Sequence, residues 1–208
     1  MGCGGAARLP PRVVQWASMF PPGDILIGAR AIESRVRELA DRLAADLGAD
    51  LAHEGAGLDT TDRVVMIPVL AGAFVFFADL VRRLPATMTM EPVVVRSRPG
   101  AATESLGATL LGAFPDNLAG KHVVLVDDIL DTGRTLDLLK QKIAGQAPAS
   151  LRLCVLLRKE RTREVAIDAD LVGFDIPDYF VVGYGLDYDG RYRNLPDIRV
   201  LDNGRPDG

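Results

Sequence analysis

Val123 to Thr135 reads Val-Val-Leu-Val-Asp-Asp-Ile-Leu-Asp-Thr-Gly-Arg-Thr, an apolar run that closes on two adjacent carboxylates and then turns polar. A core strand gains nothing from ending in Asp127 and Asp128, because an unpaired charge at the rim of an apolar interior is costly. Capping would explain one of the two residues and leave the other unaccounted for. The residues that follow can hold an anion. Gly133 can adopt positive φ and let a phosphate approach the main chain, while the hydroxyls of Thr132 and Thr135 and the amides from Gly133 to Thr135 can donate to it. Two carboxylates before such a cradle would repel a bare phosphate. They fit a ligand with a phosphate at one end and hydroxyls or a divalent cation nearby, which describes a phosphorylated sugar.

Elements of fixed direction must position that segment. Val123 to Val126 has the composition of a buried strand, and a helix is expected from Thr135 to about Ile143. Ile32, Val36, Leu39, Ala40, Leu43 and Leu47 recur at helical spacing, with Gly48 placed to end the run. Arg63 to Leu70 reads as a buried strand, Ala71-Gly72-Ala73 as a tight turn, and Phe74 to Leu84 as a helix. Met88 to Arg96 and Leu106 to Gly112 form an expected antiparallel pair around a small, polar loop, Ser97 to Ser105. Leu151 to Leu157 and Tyr179 to Val182 supply further β-rich runs, and Ile198 to Leu201 an edge strand. Strands alternating with helices imply an α/β fold: a mostly parallel twisted sheet flanked by helices. Ligands of such sheets lie beyond the carboxyl ends of the strands, where the next helix offers unpaired N–H groups.

The 208-residue chain has room for one well-buried domain, taken as residues 21–208 after a loose arm over residues 1–20. Its net charge of -4 gives no basic excess for a nucleic acid partner. Val64 to Val81 approaches the length of a membrane span, but Pro68, Gly72 and Asp79 divide it into strand and helix, so no membrane partner is expected. Two cysteines, Cys3 and Cys154, suit a reducing, cytoplasmic setting without a disulfide. His53 and His122 lack a second His or Cys at ligand spacing. No Gly-x-x-x-x-Gly-Lys-Ser/Thr occurs, and Gly183-Tyr184-Gly185 lacks the third glycine of a dinucleotide fingerprint.

The segment Asp127-Asp128-Ile129-Leu130-Asp131-Thr132-Gly133-Arg134-Thr135 closely resembles the phosphoribosyl-diphosphate (PRPP) signature of type I phosphoribosyltransferases. Leu171 to Tyr188 is similar to the C-terminal segment of hypoxanthine-guanine phosphoribosyltransferases, and the similarity runs from about Ile25 to Leu201. The resemblance implies a type I phosphoribosyltransferase fold, with a small hood built from N- and C-terminal segments. It implies purine salvage: magnesium-dependent transfer of ribose 5-phosphate from PRPP to N9 of a 6-oxopurine, giving IMP or GMP. Asp127 and Asp128 would face the ribose hydroxyls and the hydration shell of Mg, with Asp187 as a further metal ligand. Thr132, Gly133, Arg134 and Thr135 would hold the 5′-phosphate, and Asp131 would exchange a proton with purine N7 as the catalytic base.

By the same resemblance Lys159 would donate to the 6-oxo group, Phe180 would stack on the purine, and the Val181 carbonyl would read its edge. Arg193 would reach the diphosphate, which the amides of Ala71 and Gly72 would also receive. Each has a plainer alternative: Asp131 as a helix cap, Lys159 as a solvated member of the charge run from Arg158 to Arg163, Phe180 and Val181 as core, Arg193 as a surface charge. Arg158 leaves the lysine register open by one. Two departures from the family pattern are Ala71, where Lys or another polar residue is common, and Arg98, where a Ser-Tyr pair is usual. They keep a non-catalytic homologue among the alternatives, beside a PRPP-sensing regulator and an enzyme preferring xanthine. A homo-oligomer, dimer or tetramer, is expected from the resemblance alone.

Overall fold

Strands with no polar alternation must be covered on both faces, and helices above and below one sheet meet that demand. The computed structural model describes residues 23–57, 62–85, 87–97, 108–161 and 164–201. The expected arm over residues 1–20, Cys3, and the loop from Arg98 to Ser105 lie outside them. Strand β1 (Ile25–Ile27) leads into helix α1 (Ala29–His53), then β2 (Val64–Leu70), α2 (Phe74–Val81), β3 (Thr89–Met90), β4 (Val93–Ser97) and β5 (Ala108–Leu111). Strand β6 (His122–Leu130), helix α3 (Arg134–Ala144), β7 (Ser150–Lys159), β8 (Leu171–Ile176), β9 (Val181–Val182) and β10 (Ile198–Val200) follow.

The main sheet has the order β5-β4-β2-β6-β7-β8, with β3 also pairing β2. All of its pairings are parallel except that of β4 with β5. Side chains alternate across it: Val64, Met66, Val124, Val126, Cys154 and Leu156 join α1 and α2 in one core, while Val65, Ile67, Val123, Leu125, Leu153 and Val155 join α3 in the other. Burial pushes the Cys154 thiol up to about 12, which leaves it a small hydrophobe. A separate antiparallel sheet, β1-β10-β9, forms the hood.

Several elements differ from expectation. Strand β6 is not confined to Val123–Val126: it continues to Leu130, because β7 runs on beside it and pairs Ile129 with Leu157 and Leu130 with Arg158. Asp127 and Asp128 therefore sit inside a strand near its carboxyl end. Helix α1 passes through Gly48 and stops beyond His53, since Leu51 is still buried on the same face and Gly55, at φ +71°, turns the chain. The strand expected from Met88 to Arg96 is broken at Glu91-Pro92, where proline has no N–H for the ladder. Leu171–Ile176 forms edge strand β8, and Tyr179–Val182 shortens to β9.

Gly173 explains why β8 can lie where it does. A Cβ there would fall 2.3 Å from the Leu156 carbonyl oxygen of β7. On the helix side, Arg35 Nε donates to the Gly173 carbonyl at 2.7 Å, and Arg35 Nη2 to that of Val172 at 2.9 Å. Gly173→Ala is expected to lower stability by about 1 to 3 kcal/mol through overpacking. Urea denaturation measures it, and an unchanged midpoint would show that β8 moves aside freely.

Candidate active site

Asp127 and Asp128 open the site. The Asp128 amide donates to Asp127 Oδ1 at 2.9 Å, and the Asp127 carboxyl is only 7% exposed. Burial, followed by the charge of Asp128, holds the Asp127 carboxyl well above the usual carboxylate range. Burial raises Asp128 as well, against the pull of its hydrogen bonds and of the Arg193 charge. Opposite them, Gly72 in the turn after β2 leaves room for the pair, because a Cβ at that position would come within 1.8 Å of Asp128 Oδ2. The Leu70–Ala71 peptide of this turn is cis.

Beyond β6 the chain turns through Gly133 into α3. Gly133 takes φ +84° and caps the N-terminus of α3, and a Cβ there would strike Ile167 Cγ2 at 2.6 Å. Only glycine satisfies both demands. The Thr132 carbonyl accepts from the amides of Glu164 and Val165 at 3.2 and 3.4 Å, fixing the loop from behind. Arg134 pairs with Glu164. The unpaired amides of the first turn of α3 remain turned toward the loop, as helix N-termini require.

The hood closes the other side. Arg193 Nη1 donates to the Gly185 carbonyl at 2.6 Å, and Arg193 Nη2 lies 2.7 Å from Asp187 Oδ1. The other Asp187 oxygen accepts from the Gly190 amide at 2.7 Å. Val69, Leu70, Ala71, Gly72, Val95, Asp127, Asp128, Asp131 to Thr135, Glu164, Asp187 and Arg193 line one open cavity of about 750 Å³.

Lys159, Phe180 and Val181 do not line that cavity but flank it. Lys159 is 9% exposed, and its Nζ lies 3.2 Å from Asp131 Oδ2 and 3.0 Å from Asp178 Oδ1. The neighbouring Arg158 turns the other way, to Asp175 and Asp168 at 2.6 and 2.9 Å. Phe180 is 48% exposed and meets the ring of Tyr188 edge-on at 5.6 Å, while Val181 is buried in β9. Arg161 and Asp178 were not singled out from the sequence, yet they complete this flank, with Arg161 Nη1 lying 3.0 Å from Asp131 Oδ1 and 3.4 Å from Asp178 Oδ2. Asp178 stands two residues before Phe180, a spacing that could have drawn attention to it. Arg161 was hidden in a run of charges.

Among the described residues no group of three or more His, Cys, Asp or Glu side chains gathers into a metal cage. Asp127, Asp128 and Asp187 are therefore not a closed ligand set. The donors nevertheless fit magnesium, which prefers oxygen and keeps waters and substrate phosphates in its shell. Two adjacent carboxyls at the cavity wall, one of them buried, would gain from positive charge nearby.

A parallel sheet whose central strand delivers carboxylates and a glycine-turned loop to the start of a helix, under a small antiparallel hood, defines the class of type I phosphoribosyltransferases. Comparison with known proteins agrees: the family model for the phosphoribosyl transferase domain matches residues 33–189. The hypoxanthine-guanine phosphoribosyltransferase of Mycobacterium avium is 40% identical over 204 residues, covering 95% of this chain and 97% of the relative. The hypoxanthine phosphoribosyltransferase of Escherichia coli K12 is 33% identical over 175 residues, 84% of this chain and 93% of the relative. A solved hypoxanthine phosphoribosyltransferase structure from Trypanosoma cruzi superposes with a TM-score of 0.78 at 39% identity, covering 88% of this chain and 92% of that one. The chain belongs to the hypoxanthine-guanine phosphoribosyltransferase family, whose members are transferases.

Asp127→Asn provides a test of the buried pair. A folded-state proton affinity above the unfolded one contributes stability at low pH that is lost as the pH rises through the folded-state value. The substitution should therefore stabilise the ligand-free protein at neutral pH, on the order of 1 kcal/mol. That gain should fade as the pH falls toward the ordinary carboxylate range. Urea midpoints from pH 4 to 8 measure both.

Proposed function

We propose that this protein transfers the phosphoribosyl group of PRPP to N9 of hypoxanthine or guanine, giving IMP or GMP and diphosphate. The observation that carries this reading is the convergence of the acidic strand end, the α3 loop, the Ala71-Gly72 turn and Arg193 on one cavity, with Lys159 beside Asp131 at its edge. Within a family whose relatives bear the names given above, that arrangement has a place for each part of both substrates. The amides and hydroxyls from Thr132 to Thr135 hold the 5′-phosphate, and Asp127 and Asp128 accept from the ribose hydroxyls. The amides of Ala71 and Gly72 and the Arg193 guanidinium receive the diphosphate. Magnesium, when bound among Asp127, Asp128 and Asp187, supplies positive charge to the diphosphate end.

On the base side, Lys159 donates to the 6-oxo group, which discriminates against adenine because an amino group there offers no acceptor. Phe180 stacks on the ring, and the Val181 carbonyl reads its edge. Reaction breaks the bond between ribose C1′ and diphosphate as the bond from C1′ to N9 forms, with inversion. The purine loses a proton in the process, and Asp131 exchanges it at N7. Positive charge on the ribose and negative charge on the leaving diphosphate develop between fixed dipoles, so no protein nucleophile is needed. We also take residues 21–208 as one domain, expect a cytoplasmic setting, and expect a homo-oligomer, dimer or tetramer, which sedimentation would distinguish.

A spectrophotometric assay with magnesium and PRPP should give turnover with hypoxanthine and guanine and none with adenine. Turnover with xanthine alone, or with no base, would overturn the assignment. Asp131→Asn should reduce kcat by about 100-fold or more while PRPP binding is retained, in line with the contribution of general base catalysis. Lys159→Ala should raise KM for the base far more than KM for PRPP.

A further inference from the structure

From the geometry we infer that Tyr184 is a positioning residue for the diphosphate end of the site, acting through a hydrogen bond to Asp79. This rests on the proposed roles of Gly72 and Arg193. Tyr184 is 7% exposed, and its hydroxyl donates to Asp79 Oδ2 at 2.6 Å. Asp79 belongs to α2, the helix that begins directly after the Ala71-Gly72-Ala73 turn. Tyr184 belongs to the hood segment that carries Asp187 and Arg193. The bond therefore ties together the two halves between which the diphosphate is proposed to lie.

The backbone around Tyr184 is built for close approach at some conformational cost. Gly183, Tyr184 and Gly185 take φ of +99°, +50° and +102°. Glycine adopts such values freely, but a side chain in this region is disfavoured and persists only where its surroundings hold it. The phenol supplies that hold, packed among core residues of α1 and α2 and anchored at its tip. Burial and the neighbouring Asp79 push the Tyr184 hydroxyl far above its ordinary value, so it remains a donor.

The consequence appears one residue on. A Cβ at Gly185 would sit 2.3 Å from the Gly72 carbonyl oxygen, so the hood backbone rests directly on the turn. The Gly185 carbonyl accepts from Arg193 Nη1 at 2.6 Å, and the Gly185 amide donates to the Arg193 carbonyl at 3.0 Å. The Tyr184 amide donates to the Leu195 carbonyl at 2.8 Å. Asp79, Tyr184, Gly185 and Arg193 thus form a continuous strut from the second turn of α2 to the guanidinium. The strut carries more weight in this chain because Ala71 contributes no side-chain cation. Both basic residues that line the cavity among those described are ion-paired, Arg134 with Glu164 and Arg193 with Asp187, and it is Arg193 that is joined through Gly185 to the Gly72 turn.

Steady-state kinetics of the full chain with magnesium test the strut, varying PRPP at saturating hypoxanthine and then the reverse. Tyr184→Phe keeps the ring and should raise KM for PRPP about fivefold, the effect of one lost hydrogen bond, with KM for hypoxanthine within about twofold of the parent. Asp79→Ala should match it. Asp79→Asn retains an acceptor oxygen and should behave like the parent, and Tyr184→Phe with Asp79→Ala should be no worse than either alone. Unchanged kinetics in both single variants, equal changes in both KM values, or additive losses in the double variant would overturn the inference. Arg193→Ala separates this failure from a failure of the underlying assignment. A raised PRPP KM there beside a silent Tyr184→Phe removes only the strut, whereas an unchanged one removes the diphosphate site itself.

Discussion

Two carboxyls on consecutive residues, one of them almost completely buried, are held where neither can be ionised without cost. A protein that retained them for stability alone would do better with an apolar pair. Their presence sets the terms for the surrounding structure. Gly72 must lack a side chain because the Asp128 carboxylate fills the space beside it. The β6 strand must run past the pair so that Ile129 and Leu130, bonded to β7, fix the direction in which the carboxyls leave the sheet. Positive charge must come from outside the strand, and the Arg193 charge already pulls the Asp128 carboxyl down.

The remainder of the site repeats the same economy of parts. Main-chain groups do much of the holding, at the turn after β2, at the start of α3 and at Gly185, and each depends on a glycine that a methyl group would displace. Side chains with charge are arranged so that they neutralise one another across the cavity edge: Lys159 and Arg161 against Asp131 and Asp178, and Arg193 against Asp187. A polar ligand entering beside Lys159 would exchange one set of polar partners for another without leaving a buried charge alone.

Much of this was legible because the informative residues are contiguous. Asp127 to Thr135 carries strand end, loop and helix start in a single stretch, and its resemblance to a known signature points to the family by itself. Helix and strand types followed from apolar spacing. Boundaries followed less well: Gly48 lies inside α1 because Leu51 still has a core to enter, and β6 outruns its apolar composition because hydrogen bonding to β7 continues after the hydrophobic run stops. Strand β8 escaped notice because Gly173 and Asp175 dilute its pattern. Pairings between distant segments, such as Asp131 with Arg161 or Asp79 with Tyr184, have no local spacing that could reveal them.

The hood joins β1, near the start of the described chain, to β10, near its end, through the pairing of Ile25 with Arg199. Contacts between such distant positions close late, after the loops between them have lost their freedom. During synthesis the main sheet can therefore assemble around β2, β6 and β7 while the hood is still missing. A nascent chain would acquire the glycine turn at the start of α3 first, and the hood only when β10 has left the ribosome.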